Sequence, residues 1–169
     1  IINLHYKPEA VRDYFGDGNH WGVRIRYSYE PEILGTAGAV RRVADWLEGP
    51  TCIWYGDNLS TCRLDRLAEF HRQNKAAATL ALFHRPDTAA SGIVAFDENN
   101  RVTRFLEKPR SDQVFSHWVN AGIYILEPKV IDLIPPGRAV DFSREVFPAL
   151  LEAGHPMYAY CLAQDEGLW

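Results

Sequence analysis

The residues able to do chemistry gather first in the stretch Thr51 to Leu59, T-C-I-W-Y-G-D-N-L. Four strand-favouring residues, Cys52 to Tyr55, run into Gly56 and Asp57, and a polar turn follows before a helical pattern begins at Arg63. A short apolar run bounded by a turn and followed by a helix reads as a buried strand of a parallel sheet. A carboxylate straight after such a strand sits at the carboxyl edge of the sheet, where open α/β folds bind ligands. Gly56 lets a ligand or metal come close to the backbone, and Asp57 can give an oxygen to a hard cation such as Mg²⁺. The plainer alternative is a capped turn, since Asp is common where strands end. A second stretch, Glu30 to Val40 (E-P-E-I-L-G-T-A-G-A-V), places a small-residue turn, Gly35-Thr36-Ala37-Gly38, before a helix expected over Ala39 to Leu47. Thr36 is its expected N-cap. Small residues there let a planar or anionic ligand reach exposed backbone N–H groups, although an ordinary loop-to-helix junction has the same look. Glu107-Lys108, taken alone, is a solvated charge pair at the end of a strand.

The elements that must hold these residues follow from periodicity and punctuation. Ile1 to His5 is strand-like, and Pro8 suits the first turn of a short helix ending at Gly16. Val23 to Tyr29 alternates apolar and polar, the signature of a strand. After the Thr51 strand, Leu64 to Asn74 is an amphipathic helix with His71 at its surface or the edge of the core, and Ala76 to Phe83 is a second apolar strand. This first half reads β-α-β-α-β-α-β, which calls for right-handed crossovers and a largely parallel sheet. The second half changes character. Gly92 to Phe96 and Val102 to Glu107 form a hairpin, Val119 to Leu126 a strand, Pro128 to Leu133 a helix, Phe142 to Ala153 a longer helix capped by Asp141 or Ser143 and stopped by Gly154, and Met157 to Leu162 a last strand. Trp21, Trp46, Trp54 and Trp118 read as core or hairpin packing. The expectation is an α/β core with an antiparallel addition, in one domain over 1–169.

At 169 residues the chain is long enough for one domain with a sizeable core. With 47% hydrophobic and 24% charged residues and a net charge of −4 spread without blocks, the composition argues against a nucleic-acid binder held by a basic face. Cys52, Cys62 and Cys161 form no Cys-x-x-Cys pair, so a reduced, cytoplasmic setting is the simpler reading. No run reaches the length of a membrane span, so no membrane partner is expected. The chain opens in what reads as mid-strand and ends at Gly167-Leu168-Trp169, where another strand begins. Both ends read as cut, as in a fragment of a longer protein.

Four motifs in order make a more specific signal: Leu34-Gly35-Thr36-Ala37-Gly38-Ala39, Tyr55-Gly56-Asp57-Asn58, Glu107-Lys108-Pro109 and Asn120-Ala121-Gly122-Ile123-Tyr124. Together they resemble the sugar nucleotidyltransferases, the nucleoside-diphosphate-sugar pyrophosphorylases. Asn3 to Tyr6 and Phe142 to Pro148 look similar too, so the resemblance covers nearly the whole chain. It implies a Rossmann-like mixed, mainly parallel sheet flanked by helices. The activity it implies is transfer of a nucleotidyl group from an NTP to a sugar 1-phosphate, with Mg²⁺ as cofactor. On that resemblance Glu30, Leu34, Gly35, Thr36, Ala37 and Gly38 would meet the nucleobase, and Asp57 would bind Mg²⁺. Gly92, Glu107 and Asn120 would contact sugar hydroxyls, and Lys108 would pair with the sugar phosphate, making Asp57 and Lys108 the expected catalytic residues. Glu30-Pro31 and the Leu34 turn look most like guanylyltransferases acting on mannose-type phosphates. Nothing in the sequence identifies an oligomer, homo-oligomer included.

The departures from the family pattern carry their own expectation. Members begin with a strand and a Gly-rich loop bearing Arg and Lys, which this chain lacks, and they carry a second metal-binding aspartate shortly after a Gly-aromatic-Trp start that Gly167-Leu168-Trp169 matches. The domain is therefore expected to be incomplete and inactive alone. Two rivals remain: a catalytically silent sensor or scaffold subunit, and a metal-dependent glycosyltransferase with Asp-x-Asp after a strand, against which Leu59 counts.

Overall fold

The computed structural model describes residues 1–169. In chain order the elements are β1 (Ile2–Leu4), α1 (Pro8–Phe15), β2 (Tyr27–Tyr29), α2 (Gly35–Arg42), β3 (Thr51–Trp54), α3 (Leu64–Gln73), β4 (Ala78–His84), β5 (Gly92–Phe96), β6 (Val102–Glu107), β7 (Trp118–Leu126), α4 (Pro128–Asp132), a π-helical turn (Phe142–Val146), α5 (Phe147–Glu152) and β8 (Met157–Cys161). The mixed α/β class expected from the sequence is what forms: a six-stranded sheet in the order β6-β5-β7-β4-β8, with β3 also on β7, beside a two-stranded parallel sheet of β1 and β2.

β7 organises the larger sheet. Thr51 of β3 and Ala78 of β4 both pair with Leu126, so these strands flank β7 on opposite sides, each antiparallel to it. β4 pairs in parallel with β8. Hence β3, β4 and β8 share a direction, as the alternation of strands and helices requires, and β7 returns between two of them. On the β3 side, β3 reaches Ile123 and β5 meets β7 only at Val119. Asn120, Ala121 and Gly122 lie between those two strands, at the place where the sheet opens.

Both faces of the sheet are covered, because side chains alternate along a strand. Leu80, Leu82, Tyr124 and Leu126 point into one core with Val130, Ile131, Phe142, Phe147 and Leu150. Ala81, Ala121, Ile123 and Ile125 point into a smaller core under Leu67 of α3. The Phe142 and Phe147 rings stack 5.6 Å apart, and Tyr124 meets Phe147 edge-on at 4.9 Å. Burying such rings contributes about 1.5–3 kcal/mol apiece, which pins the π-turn to β7.

Several elements differ from the sequence-based expectation. The second helix starts at Gly35, not Ala39, and gives way to a 3-10 turn at Ala44–Trp46. Thr36 is therefore inside the first turn and is not its N-cap. Val23 to Ile25 is not strand, and β2 is only Tyr27–Tyr29. The expected single helix over Phe142 to Ala153 splits into a π-turn and α5. Its cause is Pro148, which has no N–H for the carbonyl four residues back and whose ring clashes with it. The backbone widens ahead of it, so that the Phe147 N–H reaches the Phe142 carbonyl. His71 is 3% exposed, deeper than expected, held between Thr79 Oγ1 (2.8 Å) and Glu127 Oε1 (3.3 Å). Trp21 and Trp46 are exposed and lie outside the core; the Arg26 guanidinium covers the Trp46 ring at 4.0 Å. No helix is long and apolar enough to cross a membrane.

Candidate active site

The opening beside Asn120–Gly122 is where the motif residues meet. β3 ends at Trp54, and the chain then turns across the opening: the Tyr55 N–H donates to the Gly122 carbonyl at 3.0 Å, and the Asn58 side chain donates to the Ala121 carbonyl at 2.7 Å. Gly122 has φ +67°, and a Cβ on it would stand 2.5 Å from Asn58 Nδ2 and 2.8 Å from the Tyr55 ring. Its smallness lets the turn sit on β7. Asp57 projects from that turn, exposed to solvent.

On the other side of the opening the β5–β6 hairpin sets Gly92 opposite Glu107. A Cβ on Gly92 would lie 2.6 Å from Glu107 Oε2 and 2.8 Å from the Phe105 ring, so the missing side chain is the space the carboxylate uses. Glu107 is half-buried. Burial raises its pKa first and the Asp141 carboxylate second, while the Ser143 hydroxyl, Lys108 and Arg144 oppose the shift. Lys108 is exposed with φ 48°, where the chain leaves β6 with its N–H on the Ser91 carbonyl at 3.2 Å. That left-handed geometry costs a non-glycine residue about 1 kcal/mol.

Asn120 is tied into the protein: Nδ2 donates to the Tyr124 hydroxyl at 2.6 Å and to Ser143 Oγ at 3.4 Å, and Oδ1 accepts from the Gly122 N–H at 3.0 Å. Tyr124 is fully buried, which pushes its pKa well up, with Tyr55 beside it. Tyr55 is raised too, mainly by burial, with its hydroxyl within reach of Thr36 and Tyr124. The Thr36 hydroxyl donates to Asp141 Oδ2 at 2.9 Å and accepts from the Phe142 N–H at 3.0 Å.

The remaining motif residues have inward-facing explanations. Gly35 (φ +70°) and Gly38 make room for the segment before Asp141: a Cβ on either would stand 2.5 Å from the Val140 carbonyl or 2.8 Å from the Arg138 carbonyl. The N–H groups of Ala37 and Gly38 donate to Val140 (2.9 and 3.2 Å), and Val140 donates to the Leu34 carbonyl (2.9 Å). These amides are not open to a ligand as the sequence reading anticipated. Glu30 is 2% exposed, and its Oε2 accepts from the Leu34 N–H at 3.2 Å. With its NH₂ turned toward β2, Asn3 donates to Glu30 Oε1 at 3.3 Å. Glu30 thereby fastens the Leu34 turn to the small sheet.

Thr36, Gly92, Glu107 and Asn120 thus share one polar cluster, Asp57 and Lys108 are exposed at strand ends, and Glu30 lies beneath the Leu34 turn. The sequence places Tyr55, Asn58 and Tyr124 inside its motifs without giving them a role, and gives Asp141 and Ser143 only the role of caps. Asp141 does cap, its Oδ1 accepting from the Ser143 and Arg144 N–H groups at 2.9 and 3.0 Å. Its second oxygen carries the contact that a cap does not announce.

No three His, Cys, Asp or Glu side chains converge as a self-contained metal site. One exposed carboxylate at a strand end still suits Mg²⁺, which is commonly held by one or two carboxylates together with substrate phosphates.

The α/β arrangement that carries this site recurs in solved structures. HddC from Yersinia pseudotuberculosis, solved in complex with GMP-PN, superposes with a TM-score of 0.79 over 98% of this chain and 69% of that one, at 21% identity, which establishes the fold. The family relation is carried by sequence: the chain belongs to the nucleotidyl transferase family, whose profile matches residues 1–169. The mannose-1-phosphate guanylyltransferase of Mycobacterium tuberculosis is 44% identical over 100% of this chain and 46% of its own length. The UTP–glucose-1-phosphate uridylyltransferase of Synechocystis is 34% identical over 94% of this chain and 45% of its own. The chain spans about half the length of the curated relatives it matches.

Proposed function

We propose that the protein carrying this chain transfers a nucleotidyl group from an NTP to a sugar 1-phosphate, with release of pyrophosphate. The observation that supports this most directly is the half-buried Glu107 carboxylate, set under the bare face of Gly92 and beside Lys108. An ionised carboxylate accepts hydrogen bonds from sugar hydroxyls, and an adjacent ammonium meets the phosphate on the sugar's anomeric oxygen. A phosphate oxygen of the sugar 1-phosphate attacks the α-phosphorus of the NTP. The new P–O bond forms as the bond from the α-phosphorus to the bridging oxygen breaks, and that electron pair leaves with pyrophosphate. The nucleophile is already an anion, so no general base is required, and the protein's task is alignment and charge neutralisation.

Asp57 is the residue that would hold Mg²⁺, with phosphate oxygens completing the coordination. Such an ion supplies several kcal/mol of charge stabilisation at the transferring phosphoryl group. Lys108 binds and orients the sugar phosphate, and Thr36 with the Leu34–Gly38 turn sets the nucleotide side. The inward-facing roles of Glu30, Gly35, Ala37, Gly38 and Asn120 make them shapers of these surfaces as much as contacts. GTP and mannose 1-phosphate are the first pair to test, given the name of the 44% identical relative. Three unpaired thiols support a reducing, cytoplasmic setting.

The test is turnover of the full-length protein with Mg²⁺, each NTP in turn and a panel of sugar 1-phosphates, read as pyrophosphate. Release with one pair names the substrates. Silence across the panel with nucleotide binding intact would sink the proposal and favour a sensor or scaffold.

A further inference from the structure

One turn stands between the two halves of this site, in a stretch to which the family resemblance assigns no residue role. Phe142–Val146 is a π-helix, a rare geometry found often at functional sites. Its cap, Asp141, holds the turn with Oδ1 and reaches Thr36 with Oδ2 at 2.9 Å. Two residues on, the Ser143 hydroxyl accepts from Asn120 Nδ2 at 3.4 Å and lies against the Glu107 carboxylate. Ser143 is 7% exposed, so its one proton has few places to go. The widened turn thus faces Thr36 on the nucleotide side and Glu107 and Asn120 on the sugar side.

We propose that Asp141 and Ser143 are positioning residues, and that the π-turn fixes the sugar-facing carboxylate relative to the nucleotide-facing turn. The inference rests on the nucleotidyl-transfer reading of the same site. A displacement of about 1 Å between reacting groups can cost a hundredfold in rate, so a rigid link between two substrate surfaces has a kinetic effect without touching the reacting atoms. The electrostatics give the link a signature. Glu107 faces Asp141 as a like charge, Lys108 and Arg144 as opposite charges, and the hydroxyls of Ser143, Tyr55 and Tyr124. Ser143 favours the ionised form, so its removal leaves the repulsion from Asp141 less opposed. Glu107 then takes up a proton at higher pH.

The experiment compares full-length wild type with Ser143→Ala and Thr36→Val, steady-state kinetics being read for each substrate after circular dichroism confirms folding. Ser143→Ala is expected to raise KM for the sugar 1-phosphate about ten- to a hundredfold, the loss typical of one hydrogen bond to a charged group. KM for the NTP should stay within about twofold on the same argument, and the acid limb of kcat/KM should move to higher pH. Thr36→Val, which cuts the bond to Asp141 at nearly constant volume, is expected to raise KM for both substrates. An equal rise for both substrates in Ser143→Ala with an unmoved acid limb would mark a merely structural residue and overturn the proposal. An unchanged sugar KM in Thr36→Val would overturn the bridging role. Calorimetric titration with GTP and mannose 1-phosphate separates the two claims: wild type that binds both without turnover refutes nucleotidyl transfer, while the affinity ratio of Ser143→Ala to wild type still decides the inference. Wild type that binds neither refutes both.

Discussion

Gly92 and Glu107 face each other across the β5–β6 hairpin, and the carboxylate occupies the space a Gly92 side chain would take, 2.6 Å from the ideal Cβ position. Gly92→Ala should therefore push the carboxylate aside and leave the strand in place. The buried Phe105 ring, 2.8 Å from the same point, has to turn slightly, at a cost of about 1 kcal/mol. The expected result is a drop in kcat/KM for the sugar 1-phosphate of about ten- to a hundredfold. A thermal melt lowered by only a few degrees, alongside kinetics at varied sugar phosphate, checks both halves of the statement.

Asp57 is the opposite case, a carboxylate that is exposed at the end of β3. Surface substitutions of this kind change stability by no more than about 0.5 kcal/mol. Asp57→Ala should leave the melting curve in place and lower kcat about a hundredfold or more, the scale of losing charge stabilisation at a phosphoryl centre. Binding of Mn²⁺, followed by electron paramagnetic resonance with nucleotide present, should weaken in parallel. Full turnover by the variant would remove Asp57 from the site.

What the sequence made legible was local. The apolar run in β4, the hairpin turn after Phe96, Pro8 opening α1 and Asp141 capping the π-turn are each decided by neighbours within a few residues. The long-range pairings were not legible. Nothing in Val119 to Leu126 says that it returns antiparallel between β3 and β4, since both faces of that strand are buried and its pattern carries no direction. The small residues of the Gly35–Gly38 turn admit any close neighbour, and nothing local says that one of those neighbours is Val140, about a hundred residues away. Thr36 was misplaced as a cap for the same reason: its partner Asp141 lies 105 residues on. Glu30, Glu107 and Asn120 entered through a family resemblance, which states that residues matter without saying which atoms they touch.

Gly122 shows how tightly the turn bearing Asp57 is seated. Its φ of +67° is strained for any other residue, and a Cβ would lie 2.5 Å from Asn58 Nδ2. Gly122→Ala should destabilise the fold by about 2–4 kcal/mol, combining backbone strain with overpacking. Because Asn58 must then release the Ala121 carbonyl, the Asp57 turn should loosen as well. Urea denaturation gives the stability loss, and hydrogen exchange over residues 55–58 reads the loosening. Unchanged protection there would show that the turn is held by something other than its seat on β7.

His71 makes the stability of the fold sensitive to acid. Burial lowers its pKa, and the hydrogen bond to the Glu127 carboxylate only partly opposes the shift. A folded pKa below the unfolded one means that the unfolded chain binds the proton more readily. Stability is then fully present above the unfolded value, about 6.5, and declines as pH falls below it toward the depressed folded value. His71→Gln keeps a hydrogen-bonding side chain of similar reach to Thr79 and Glu127 and has nothing to titrate in this range. Its melting temperature should be somewhat lower than wild type at pH 7.5, and the gap should narrow or close by pH 5. Parallel curves for the two proteins across that interval would mean that His71 is not the group that acid acts on.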